Sequence, residues 1–164
     1  MKMNIRAAQD SDAAALARIY NYYVMHTCAT FEMEAVEPAD MKNRLAASRS
    51  HGLPWLVGDA GGTVLGYAYA APWKHRAAYR HSVESTVYLD PESTSRGIGA
   101  RLYGRLIDEL RTCRVHAVIA GISLPNEPSV RLHERLGFHS IGCFREVGRK
   151  QARWVDVGYW ELLL

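Results

Sequence analysis

The sequence predicts a mixed α/β fold: a mostly antiparallel sheet of about seven strands flanked by about four helices. Three observations carry this. Residues 55–71 alternate around an Asp59-Ala60-Gly61-Gly62 turn, as a hairpin does. Leu102, Leu106, Ile107 and Leu110 recur at helical spacing after a glycine-containing loop. The chain then closes on two runs, 138–144 and 154–162, suited to an antiparallel hairpin.

The elements follow in order. Residues 3–6 are a short strand. Asp10 or Ser11 caps a helix whose apolar face is Leu16, Ile19, Tyr20, Tyr23 and Val24. Residues 27–32 are β-prone yet polar, a loop or a short strand. Glu37-Pro38-Ala39-Asp40 opens a second helix through Met41 and Leu45 to about Ser50, where His51-Gly52-Leu53-Pro54 ends it. Residues 55–57 and 63–71 are the hairpin strands, Pro72 stops the second, and a long strand covers 81–89. The amphipathic helix after residue 97 leads to a buried strand over 116–122. Pro128 suits the first turn of a helix to Leu136, with Gly137 as its C-cap. The expected order is β-α-α-β-β-β-α-β-α-β-β, in a single domain over residues 1–164.

Composition narrows the function. With 164 residues, 48% hydrophobic and 23% charged, the chain is long enough to bury a core and ordinary for a globular protein. No apolar run approaches the roughly 20 residues that span a membrane, so no membrane partner is expected, and cytoplasmic residence is. Cys28, Cys113 and Cys143 are scattered without a CxxC pair, which argues against a zinc site or a disulfide framework. No metal is expected. The net charge of +3 is small, and Lys and Arg are spread along the chain rather than striped, so nucleic acid is not an expected partner.

Ser95-Arg96-Gly97-Ile98-Gly99-Ala100 lies between a strand and a helix. Gly97 and Gly99 let the backbone curl toward an anion, the helix N-terminus adds partial positive charge, and Arg96 and Arg101 add full charges. This is a workable pyrophosphate site but neither a P-loop nor GxGxxG. By itself it reads equally as a glycine-rich turn.

Thr94–Gly99 resembles the acetyl-CoA loop of the GNAT superfamily, commonly Gln/Arg-x-x-Gly-x-Gly/Ala. Asn126, Ser129, Leu132, Gly137 and Phe138 resemble its second signature. Residues 70–74, 84–88, 124–134 and 154–158 look like the phosphinothricin and methionine-sulfoximine N-acetyltransferases, in the right order over nearly the whole chain. The resemblance implies a GNAT-type fold, acetyl-CoA as co-substrate, and a homodimer. It also implies that the strand ending at Tyr88-Leu89 splays from its neighbour, so that backbone groups at Val87 and Leu89 meet the pantetheine arm. Thr94 departs from the family, standing where Gln or Arg is usual.

Acyl transfer to an amine needs a proton acceptor. Glu84, in the strand approaching the thioester, is the candidate base; otherwise it is an exposed strand residue. His133 stands where many superfamily members carry a Tyr that protonates the departing thiolate, and imidazole suits that acid or a second base; the alternative is a helix-surface His. Lys74, Arg76 and Arg80, interleaved with Trp73 and Tyr79, form a cationic aromatic loop fit for a carboxylate or phosphinate, or simply a solvated basic loop. Phe31 and Glu32 are placed near the acceptor by the resemblance, which implies phosphinothricin, methionine sulfoximine or methionine sulfone as the small amino-acid substrate. The competing readings are an acetyltransferase of another small amine or a protein amine, and a non-catalytic CoA-binding module.

Overall fold

In the computed structural model, which describes residues 3–94 and 97–164, the chain runs β1 (Asn4–Ala7), α1 (Ala13–His26), α2 (Pro38–Ser50), β2 (Trp55–Ala60), β3 (Thr63–Pro72), β4 (Ser82–Leu89), α3 (Ile98–Thr112), β5 (Ala117–Leu124), α4 (Glu127–Arg135), β6 (His139–Lys150) and β7 (Arg153–Leu163). The order of elements is the one expected. The seven strands form one sheet, β1-β2-β3-β4-β5-β7-β6. Every pairing is antiparallel except β4 with β5.

Two cores sandwich the sheet. On one face α1 and α2 bury Leu16, Ile19, Tyr20, Met41 and Leu45 against Trp55, Val57, Tyr67 and Tyr88. On the other, α3 buries Leu102, Tyr103, Leu106 and Leu110 against Leu56, Ala68, Val83 and Val118, with Phe138 and Trp160. Apolar residues on both faces of β2 to β5 are what a sheet covered on both sides requires.

The entry to α1 differs from expectation. Asp10 and Ser11 lie in a 3-10 turn, and Asp12 holds the N-cap position. The Asp12 carboxylate accepts the Gln9 N–H at 2.8 Å and a two-pronged bond from Arg6 at 2.8 and 2.9 Å, while Arg6 also reaches Asp59 at 3.1 Å. One guanidinium thus ties β1, the start of α1 and β2. These bonds lower the Asp12 pKa, Arg6 being the main cause, so its contribution is present above the unfolded carboxyl pKa and lost as pH falls through the depressed folded value. Asp12→Asn is expected to destabilise the protein at pH 7 by about 1.5–3 kcal/mol, the worth of a hydrogen bond to a charged group. Urea melts should show that gap at pH 7 and its closure in acid.

Gly61 and Gly62, with φ of 66° and 89°, make the tight β2–β3 turn. The closing hairpin is much longer than the residues 138–144 and 154–162 predicted. Register shifts between Ser140 and Gly142 and between Phe144 and Gly148 interrupt β6, and the β6–β7 turn is made by Gln151 and Ala152 at φ of 51° and 59°. Neither a charged bulged edge strand nor a Gln-Ala turn carries the usual sequence signal.

One topological detail positions the site. β4 pairs with β5 only at Ser82–Glu84 against Ala117–Ile119. Beyond that point β4 follows β3 to Leu89 and β5 follows β7 to Leu124. The two central strands part after Glu84, opening a wedge through the sheet.

Candidate active site

The edges of the wedge are backbone. The Asp90 N–H donates to Leu65 O at 2.9 Å, and Ser82 O accepts from the Trp73 N–H at 3.1 Å, so even-numbered main-chain groups of β4 face β3. By alternation those of Ser85, Val87 and Leu89 face the gap. Tyr23 on α1 occupies one of them, its hydroxyl donating to Leu89 O at 2.7 Å. The Tyr88 ring lies in the α1/α2 core and its main chain on the β3 side. Hydroxyls plug the apex: Ser85 Oγ donates to Ile119 O at 3.4 Å and lies 2.6 Å from Tyr103 Oη, which donates to it.

Glu84 stands at the parting point, its side chain on the α1/α2 face. Its Oε1 lies 3.6 Å from where a Cβ on Gly121 would be, and Tyr159 Cε1 lies 3.3 Å from the same point. The carboxylate therefore lies across the gap over Gly121, on the side where the Tyr159 ring also packs. Burial raises its pKa, and the positive charge of Lys74 opposes this less strongly. Trp73 and Phe144 set their rings edge-to-face with Tyr159 at 5.8 and 5.6 Å, and Lys74 Nζ lies over Trp73 at 4.8 Å. Phe31 packs directly on Gly148, leaving no room for a Cβ there. A carboxylate walled by aromatic rings with a cation alongside can receive and deprotonate an ammonium.

Arg76, Tyr79 and Arg80 lie in an exposed 3-10 segment, where the Arg80 guanidinium caps Ala77 O at 3.4 Å. Of the basic loop, only Lys74 is linked to Glu84.

The α3 face of the wedge holds the rest. Ser95 and Arg96 lie outside the described residues. Gly97 takes φ 70° at the N-cap of α3, a conformation open to glycine, and Ile98 and Gly99 are buried behind it with Ala100 half-buried. A Cβ on Gly99 would stand 3.4 Å from Leu89 and 3.6 Å from Leu132, so this glycine sits where α3, the end of β4 and α4 meet closely. The Thr94 hydroxyl turns back to Pro91 O at 3.3 Å. Arg101, expected to add charge to the loop, instead donates to Met3 O at 3.3 Å. Asn126 Oδ1 accepts the Ser129 N–H at 3.3 Å, capping α4 beside a cleft of ≈ 390 Å³ lined by Leu124, Pro125, Asn126, Glu127, Val130 and Arg131.

His133 is a buried residue rather than a helix-surface one, 3% exposed, with Tyr103 and Phe138 edge-to-face on its ring at 5.0 and 5.2 Å. Its Nδ1 lies 2.7 Å from Ser129 O and must carry the hydrogen, since a carbonyl only accepts. Burial lowers its pKa. The ring is thus held neutral with Nε2 as its acceptor nitrogen.

A two-sided wedge, with a helix N-terminus on one face and a half-buried carboxylate on the other, is an arrangement that acyl transfer to an amine can use. Residues 5–158 match the acetyltransferase (GNAT) domain, and the chain belongs to that family. It is 41% identical over 165 residues to the L-methionine sulfoximine/L-methionine sulfone acetyltransferase of Salmonella typhimurium, spanning 99% of this chain and 95% of that protein. It is 40% identical over 159 residues to the phosphinothricin N-acetyltransferase of Streptomyces viridochromogenes, spanning 97% and 86%. A Salmonella typhimurium chain solved with its cofactor acetyl-CoA superposes with a TM-score of 0.98 at 38% identity, covering 100% of this chain and 95% of that one.

Proposed function

We propose that this acetyltransferase moves the acetyl group of acetyl-CoA to the α-amino group of a small amino-acid analogue, of the phosphinothricin, methionine sulfoximine or methionine sulfone kind, directly in a ternary complex. The observation that carries the reading is the wedge at Glu84, which joins a cofactor face to an acceptor face through the sheet. The likeness to relatives named for these acceptors supports the substrate class.

Acetyl-CoA supplies an activated acetyl as its thioester. The backbone of Val87 and Leu89 binds the pantetheine arm along the free edge of β4, and the Val87 N–H donates to the thioester oxygen. Residues 95–100 hold the pyrophosphate, with Asn126 and Ser129 beside the arm. On the far face Lys74 receives the acceptor's anionic group, Arg76, Tyr79 and Arg80 extend the cationic approach from the exposed loop, and Phe31 walls the pocket. Glu84 takes the ammonium proton, directly or through a water, the free amine attacks the carbonyl carbon, and as the C–S bond breaks the proton shed by the new amide nitrogen passes to the departing thiolate. His133, with its Nδ1 hydrogen committed to Ser129, suits a second base better than an acid for the thiolate.

Homodimerisation fits the same picture. The β6 edge and its neighbour expose Ile141, Phe144, Val147 and Trp154 at 55–60%, a patch suited to a second copy. Sedimentation at the monomer mass would remove this part of the reading. No helix among the described residues is long and apolar enough to cross a membrane.

The test is release of free thiol from acetyl-CoA with each acceptor. Turnover with methionine sulfoximine, methionine sulfone or phosphinothricin, and not with peptides, is expected. Turnover only with peptides or with unrelated small amines would overturn the substrate assignment.

A further inference from the structure

Lys150 is the one buried lysine or arginine among the described residues, 4% exposed. It forms no ion pair among them. Its ammonium instead donates to the main-chain carbonyl of Thr30 at 2.7 Å. Burying an ammonium whose direct partner is a carbonyl opposes folding, and burial pushes the Lys150 pKa down, with Cys28 and the Glu32 carboxylate opposing this less strongly. Such a group persists where what it holds matters.

It holds the loop that carries Phe31. The Thr30 hydroxyl lies 2.7 Å from Tyr20 Oη, and the Glu32 carboxylate accepts from Arg44 at 2.7 Å. Just before them, Cys28 Sγ accepts from Arg153 at 3.4 Å and donates to Gln151 Oε1 at 3.7 Å. The β6–β7 turn therefore grips the loop on both sides of Ala29, and Phe31 is set down on Gly148 beside it. The turn residues Gln151 and Ala152 lie in the left-handed region, at φ of 51° and 59°, which disfavours residues with a Cβ and persists where surrounding contacts impose it. Loop and turn hold each other.

We propose that Lys150 is a positioning residue for the acceptor: by pinning Thr30 it fixes the Phe31 ring against Gly148, so that discrimination among amines depends on a side chain that touches none of them. This rests on the reading above that Phe31 walls the acceptor pocket.

The experiment compares the wild type, Lys150→Met and Lys150→Arg in the full chain. Hydrogen exchange is followed at amides 28–33, and kcat and KM are measured for acetyl-CoA and for whichever amine of a panel of amino-acid analogues and peptides the wild type acetylates best. Lys150→Met should speed exchange about tenfold or more, the equilibrium weight of a charge-assisted hydrogen bond. It should raise the acceptor KM by a similar factor and leave the acetyl-CoA KM unchanged, with Lys150→Arg restoring part of both. Unchanged exchange overturns the clamp whatever the substrate, and faster exchange with an unchanged acceptor KM overturns its role in positioning. Should Lys150→Met fail to fold, Gly148→Ala displaces Phe31 from the opposite side. It should raise the acceptor KM alone, and an unchanged value overturns the proposal. A wild type that acetylates only the peptides sinks the substrate assignment and leaves these comparisons intact.

Discussion

Glu84→Gln should lower kcat by about a hundredfold to ten-thousandfold, the range lost with a general base, while acetyl-CoA affinity stays near wild type. The carboxylate stands at the parting point of the wedge, on the face opposite the helix N-terminus of α3, so its loss is expected to touch the amine and not the cofactor. The same substitution should raise the melting temperature at pH 7. Burial holds the Glu84 pKa above its unfolded value, so its favourable contribution is complete below the unfolded pKa and is lost as pH rises through the folded one. At neutral pH the ionised carboxylate opposes the fold, whereas Gln carries no charge; the gain should vanish in acid. The acid limb of the wild-type kcat/KM profile, which reports the free enzyme, should lie above the ordinary glutamate value and be absent from the variant. A protein that binds CoA without catalysing transfer would show the change in stability and no rate to lose. Equal rates for Glu84→Gln and wild type would remove Glu84 from the mechanism.

Gly66→Ala should damage both stability and cofactor binding. A Cβ at this position of β3 would lie 2.6 Å from Leu89 Cδ2 and 2.8 Å from the Tyr88 carbonyl oxygen, with Leu89 Cα at 3.1 Å. The leucine tip can move, but backbone atoms yield only if β3 and β4 separate. Overpacking of this kind costs about 1–3 kcal/mol. The strain falls on the residues that line the wedge, so the acetyl-CoA KM should rise as urea stability falls. Gly142→Ala, with nothing within 4 Å of its Cβ position, is the matched control and should change neither. A Gly66→Ala protein as stable as the control would show that the β3–β4 contact is looser than the geometry implies.

The order of elements was readable because α1 and α3 carry helical periodicity and α2 and α4 their proline and capping signals, and Leu102, Leu106 and Leu110 lie buried as their spacing required. The parting of β4 from β5 after Glu84 matches what the family resemblance implied, though no local pattern marks it. What stayed hidden depends on partners distant in sequence. Tyr159 and Gly121 meet Glu84 only because β5 and β7 pair, and neither residue type announces a site. Nothing in the sequence around Lys150 marks it, because its partner is the main chain of Thr30, 120 positions earlier. His133 belongs to α4 as expected, but its burial is set by Tyr103 and Phe138, so its tautomer could not be read from the helix alone. Arg101 seemed a charge for the loop, and the nearness of the Met3 carbonyl redirected it.

In the proposed mechanism acetyl passes from thioester to amine through the sheet at Glu84, with both bound at once. Initial rates of thiol release measured while acetyl-CoA and L-methionine sulfoximine are varied together test it most directly. Double-reciprocal lines that intersect are expected, as a ternary complex requires; parallel lines, the mark of an acetylated enzyme formed before the amine binds, would overturn the mechanism.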